Sequence, residues 1–156
     1  MSPSSLTPEQ ALQKLRQFCA YRERCHAEVT DKLYNLDVWK KDHDEIIATL
    51  IEENYLNEER FAEVFAGGHF RQKQWGRNKI VQALKQKQIS PYCIKKALLQ
   101  IDEDAYHNTL HKLVTAKWQS LRSERDRFVK MRKTSDYLLQ KGYEPEFVRE
   151  VVSGME

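Results

Sequence analysis

Apolar residues recur along this chain at spacings of three and four, a pattern that predicts nine helices and no strand. Leu12, Leu15 and Cys19 mark the first helix, and Val29, Leu33 and Leu36 the second. Ile46, Ile47, Leu50 and Ile51 lie on one side of a third, expected over 44–54. Phe61, Phe65 and Gly68 follow the inner face of a fourth, where Gly67-Gly68 either weakens the helix or permits a close crossing. Beyond Gly76, Ile80, Val81 and Leu84 mark a fifth, and Ile94, Ala97, Leu98 and Ile101 a sixth. Tyr106, Leu110, Leu113, Val114 and Trp118 form the stripe of a long seventh. Phe128, Met131, Leu138 and Leu139 belong to an eighth that ends at Gly142, and Phe147, Val148, Val151 and Val152 to a ninth.

Start signals agree with this division. Thr7-Pro8-Glu9-Gln10 has the composition of a capping box with proline at the first helical position. Asn57 before Glu58 and Glu59, Ser90 before Pro91, Asp102, and Pro145 open later helices. Residues 86–98 align without a gap on 140–152, sharing Gln-Lys, a proline and every buried-type position. Lys32-Leu33 precedes a third helix in the same way, although the connection from Trp39 to Asp42 breaks the register. Three tandem three-helix units, 8–56, 57–101 and 102–154, describe this economically, and such repeats stack to bury their apolar faces. The alternative is one nine-helix globule with a chance internal match. The all-α fold class is common to both. Helices of about 10–18 residues are roughly 15–27 Å long, and three stacked units are expected to form an elongated, curved body of about 60–80 Å.

Charge changes the picture more than composition does. The 156 residues are 40% hydrophobic and 31% charged, with net charge +3, too small alone to indicate a nucleic-acid binder. Yet 28–63 holds eleven acids against four bases, whereas 64–101 holds no acid at all. The eight bases of that second stretch are Arg71, Lys73, Arg77, Lys79, Lys85, Lys87, Lys95 and Lys96. Such polarity points to a directional partner, either polyanionic DNA or a protein with an acidic surface. A solvated face with clustered charges is the alternative for any single lysine. No apolar run approaches the length of a membrane span. Met1-Ser2-Pro3-Ser4-Ser5-Leu6 lacks the pattern of a signal peptide, and three cysteines with no CxxC spacing suggest neither disulfides nor zinc. A cytoplasmic setting is expected.

Catalytic chemistry is not assembled by any motif. The sequence has no HExxH, no Walker A loop and no GxSxG elbow. His107 and His111 share a helix face but have no third ligand at a suitable spacing, and Cys25-His26 lacks the flanks of a nucleophile. Cys19 and Cys93 read as small core residues. Trp75 either stacks on a base or anchors a protein contact, or it packs at a helix junction; Trp39 and Trp118 read as core.

Tyr55-Leu56-Asn57-Glu58-Glu59-Arg60-Phe61-Ala62 resembles a block of the RecX family of bacterial recombination regulators, with Asn57 in place of the first acid. Residues 76–90, Gly76-Arg77-Asn78-Lys79-Ile80 through Ile89-Ser90, resemble the family's second block, with Gln88 replacing the usual glycine. Tyr21 to Val29 is similar to the opening block, with Cys25 where serine is common, and Tyr137 to Tyr143 to the third-repeat block. The resemblance covers about 11–152.

That resemblance implies tandem three-helix repeats and a non-catalytic activity without a cofactor. RecX proteins bind the RecA recombinase filament in its helical groove on DNA and inhibit its ATPase, strand exchange and coprotease functions. They thereby modulate recombination, DNA repair and the SOS response, and some bind single- or double-stranded DNA directly. The acid-free stretch is the expected contact surface of a monomeric modulator with no membrane association. An independent DNA-binding helical module is the alternative.

Overall fold

Helix starts in this chain are set by local chemistry that the computed structural model realises bond by bond. It describes residues 6–156; the signal-peptide reading of Met1 to Ser5 lies outside the described residues. The helices are α1 Pro8–Tyr21, α2 His26–Asn35, α3 Lys40–Glu52, α4 Glu58–Lys73, α5 Arg77–Gln86, α6 Pro91–Leu99, α7 Glu103–Ser120, α8 Arg127–Lys141 and α9 Pro145–Ser153, with no strand among the described residues. Thr7 Oγ1 accepts from the Gln10 amide at 3.1 Å while the Thr7 amide donates to Gln10 Oε1 at 3.0 Å, closing the capping box. Asn57, Ser90 and Asp102 cap α4, α6 and α7 through their side-chain oxygens. Asp126, which carries no periodicity signal, does the same for α8.

The middle helix of each set of three ends in the same way. Asp37, Gln88 and Gly142 take left-handed φ values of 57°, 63° and 101°. Next to each, the amide of Val38, Ile89 or Tyr143 donates back five residues to the carbonyl of Leu33, Leu84 or Leu138, at 3.0–3.2 Å. This is the helix stop in which a left-handed residue lets a following amide reach a stranded carbonyl. All three leucines are fully buried, and the three donors are buried beside them. A single further residue, Trp39, Ser90 or Glu144, then separates that donor from the next helix. The register that the sequence appeared to lose in the first repeat is therefore intact. It was hidden because α3 begins at Lys40, four residues before the expected start, without a proline or a capping side chain.

The chain divides into two compact units, Met1–Val64 with Leu84–Lys96, and Phe65–Ala83 with Ala97–Glu156. In the first, α1, α2 and α3 pack around Leu12, Leu15, Val29, Leu33, Ile46, Leu50 and Leu56. His43 is buried there with Nε2 donating to the Val38 carbonyl at 3.0 Å. Cys19 and Cys25 are buried, and burial pushes the Cys19 thiol up to about 11. In the second unit, α7, α8 and α9 pack together. Tyr106 is in aromatic contact with Phe70 at 5.7 Å and Tyr143 at 5.2 Å. Trp118 is buried as expected, its Nε1 donating to the Glu156 carbonyl at 3.1 Å.

Several readings of single residues are corrected. Trp39 is 47% exposed, because it occupies the cap of α3 while Val38 takes the buried place; Lys41 Nζ lies 4.4 Å from its ring. Ile51, Leu139 and Phe128 are exposed, Phe128 by 82%, since it sits in the first turn of α8 before the stripe begins. Gly67 and Gly68 make no close crossing. A β-carbon on Gly68 would meet nothing within 4 Å, and one on Gly67 would meet only the Arg71 side chain.

Candidate partner interface

Basic residues at the end of α4 suit the negative end of the helix dipole, and they leave Arg71 and Lys73 exposed in the second unit. The chain then turns through Gln74 in the left-handed region, which places Trp75 against α4. Its ring is half-buried, 4.5 Å from His69 and 6.3 Å edge-on from Phe65, the packed arrangement of the two foreseen. Lys79 Nζ lies 4.7 Å from the Trp75 ring and Lys73 Nζ 5.8 Å. An aromatic side chain thus has two cations within 6 Å of its ring centre, each such contact contributing about 0.5–1 kcal/mol at an exposed site.

Arg77 is different from its neighbours. Its guanidinium donates to Glu144 at 2.8 Å and to Glu103 at 2.5 Å, lies 3.8 Å over the Tyr106 ring, and is 15% exposed. The Arg77 amide donates to Tyr106 Oη at 2.9 Å, and the Tyr106 hydroxyl donates in turn to Glu144. Burial works against the charge, but the hydrogen bond and charge of Glu144 outweigh it, holding the guanidinium above its ordinary value. Arg77 is consumed inside the fold. Sequence reading missed this because Glu103 and Glu144 lie 26 and 67 residues downstream, with no local signature. Glu144 correspondingly makes no side-chain cap on α9.

Four cations of the stretch fall in the first unit. Lys85 and Lys95 are exposed. Lys87 Nζ lies 3.6 Å from Glu28, and Lys96 Nζ 2.7 Å from Glu59. Thirty-eight residues without a carboxylate therefore still have carboxylate neighbours, supplied by distant segments. Among the described residues, Arg71, Lys73, Lys79, Lys85 and Lys95 form no ion pair. They are the cations of the set without a carboxylate neighbour.

Among the described residues no group of three or more His, Cys, Asp and Glu side chains could hold a metal ion. His107 lies 3.4 Å from Glu103 and edge-on to Phe147 at 4.9 Å. No helix among the described residues is long and apolar enough to cross a membrane.

Comparison with known proteins matches "RecX, second three-helix domain" to residues 57–98 and "RecX, third three-helix domain" to 104–152. The regulatory protein RecX of Clostridium tetani is 33% identical over 127 residues, which are 81% of this chain and 58% of that protein. That of Oceanobacillus iheyensis is 28% identical over 139 residues, 89% of this chain and 51% of that protein. The chain thus spans between half and three fifths of the length of these relatives. Among solved structures, RecX from Lactobacillus salivarius superposes with a TM-score of 0.82 at 23% identity, covering 94% of each chain. A second RecX crystal structure superposes with a TM-score of 0.84 at 19% identity, covering 94% of this chain and 71% of that one. At these identities the structural likeness speaks for the fold, an all-helical chain of tandem three-helix repeats.

Proposed function

This chain belongs to the RecX family, and from that premise we propose that it is a regulatory protein which binds the RecA filament on DNA and inhibits RecA. It lodges in the filament's helical groove, and the ATPase, strand exchange and coprotease activities of RecA fall as a result. It acts in the cytoplasm by binding rather than by catalysis, through repeats spanning 8–56, 57–101 and 102–154.

The observation that carries this reading is the match of RecX's second and third three-helix domains across α4 to α9. The unpaired cations support it. Lys73 and Lys79 lie near the Trp75 ring in the second unit, where Arg71 is exposed, and Lys85 and Lys95 are exposed in the first. Each is weak as a single contact, but a filament repeats its surface, so modest contacts to successive subunits add as avidity.

Titration against RecA-coated and bare DNA tests the proposal. Much tighter binding to the coated form is expected. Equal binding to bare single- or double-stranded DNA would mean that the cations serve sequence-independent DNA binding instead.

A further inference from the structure

Arg24 is 8% exposed, yet no carboxylate among the described residues pairs with it. Its Nε donates to the Phe18 carbonyl, in the last turn of α1, at 3.0 Å, which fixes the guanidinium plane. That plane lies 3.7 Å from the centre of the Phe18 ring and 6.0 Å from that of Tyr21. The two terminal nitrogens have no acceptor among the described residues. Glu28 acts on Arg24 only through space, since its oxygens already accept from the Cys25 amide at 3.1 Å and Arg22 at 3.3 Å, and meet Lys87 at 3.6 Å. Burial, with Arg22 close by, holds the Arg24 guanidinium below its ordinary value, the direction expected of a buried cation lacking its anion.

Around Arg24 is a cleft of about 310 Å³ between α1 and α2, lined by Lys14, Phe18, Tyr21, Lys32 and Leu36. Lys32 Nζ lies 5.4 Å from the Phe18 ring. No acid lines the cleft, although it opens beside the stretch that is most acidic in sequence. Tyr21 stands at its rim with 84% of its surface exposed.

The terminal nitrogens of Arg24, which is largely covered yet lines the cleft, are open to a ligand; a guanidinium fork suits the paired oxygens of a phosphate, and an exposed aromatic face beside cations suits an unstacked base. We propose that this cleft takes one nucleotide of a single-stranded nucleic acid, with its phosphate on Arg24 beside Lys14 and Lys32 and its base on Tyr21. A duplex is disfavoured, because its bases are already stacked and cannot lie on the tyrosine. A simple acidic peptide would satisfy the guanidinium but leave the Tyr21 face unused. The site uses none of the residues assigned above to the RecA filament, so either proposal can fail without the other.

The test uses the full chain without RecA, and fluorescence anisotropy of a labelled oligothymidylate and of an abasic phosphodiester of equal length. The intact chain is expected to prefer the thymidylate. Tyr21→Ala should weaken thymidylate binding by about five-fold or more, the low end of one lost stack, and abolish the preference. Arg24→Gln should weaken both ligands by about ten-fold. If Arg24→Gln loses helix content, Tyr21→Ala decides alone, since an exposed ring contributes little to folding. The proposal is overturned if the intact chain binds no oligonucleotide, if Tyr21→Ala binds like the parent, or if the abasic strand binds equally. Displacement by a poly-glutamate of the same charge, as effective as by unlabelled thymidylate, would overturn it in favour of acidic-peptide docking.

Discussion

The backbone of Gly76 touches the backbone of Gly142: a β-carbon on Gly76 would stand 2.3 Å from the Gly142 carbonyl carbon. The contact is paired as well as close. The Gly76 amide donates to the Lys141 carbonyl, and the Asn78 amide to the Gly142 carbonyl, both at 2.8 Å. The entry to α5 and the exit from α8 are thus joined through main-chain atoms. Gly76→Ala should destabilise the protein by about 1–3 kcal/mol, toward the upper end because main-chain atoms must move. Urea unfolding followed by circular dichroism measures it, and an unchanged midpoint would show that the two segments separate readily.

Arg77 and Lys79 are neighbours in sequence with opposite roles. Arg77→Ala leaves Glu144, which is partly buried, without its cation and should cost about 3 kcal/mol. Lys79→Gln removes a ring contact at Trp75 and should cost less than about 1 kcal/mol. Thermal unfolding of both variants checks the contrast. Equal melting would place Arg77 outside the Glu103–Tyr106–Glu144 network.

Gln88 holds a left-handed φ of 63° where the third repeat uses glycine at the matching position. An L side chain there costs about 1–2 kcal/mol, which glycine relieves at the expense of a floppier unfolded chain. Gln88→Gly should therefore raise stability by up to about 1 kcal/mol, read as a higher denaturation midpoint. A loss would show that the Gln88 side chain makes a compensating contact.

Two buried phenols make the fold alkali-sensitive. Burial, then the hydrogen bond to Glu144, pushes the Tyr106 hydroxyl well above its ordinary value of 10.0; burial and the Glu144 charge do the same for Tyr143. The folded chain holds both protons more tightly than the unfolded one. Their contribution to stability is therefore complete below pH 10 and declines as pH rises beyond it. Of the seven tyrosines, these two should yield tyrosinate absorbance only as helix signal is lost. Full tyrosinate absorbance in a still-helical protein would contradict the buried placement.

What the sequence made legible was local, and what it hid was distant. Thr7 with Gln10, Asn57, Ser90 and Asp102 each act within three residues, so their caps could be assigned from neighbours alone. The match of 86–98 with 140–152 was equally plain, because both segments carry a proline at the start of the following helix. The first repeat lacks that proline, and its stop motif emerges only from the φ of Asp37 and the bond from Val38 to Leu33. The acid-free stretch was a true feature of the chain. Three of its eight cations are nevertheless answered by Glu28, Glu59, Glu103 and Glu144, whose proximity depends on the fold. Arg24 is ambiguous for the converse reason: in sequence it reads equally as a functional cation and as one paired at the surface with Glu23 or Glu28, yet in the fold Glu23 bonds Arg60 and Glu28 bonds Arg22.

The most direct test of the central claim is the rate of ATP hydrolysis by RecA on single-stranded DNA as this protein is added. The account predicts a rate that falls progressively with added protein. A variant carrying Lys73→Gln, Lys79→Gln, Lys85→Gln and Lys95→Gln should need a markedly higher concentration for the same effect. A hydrolysis rate that stays constant at saturating protein would contradict it.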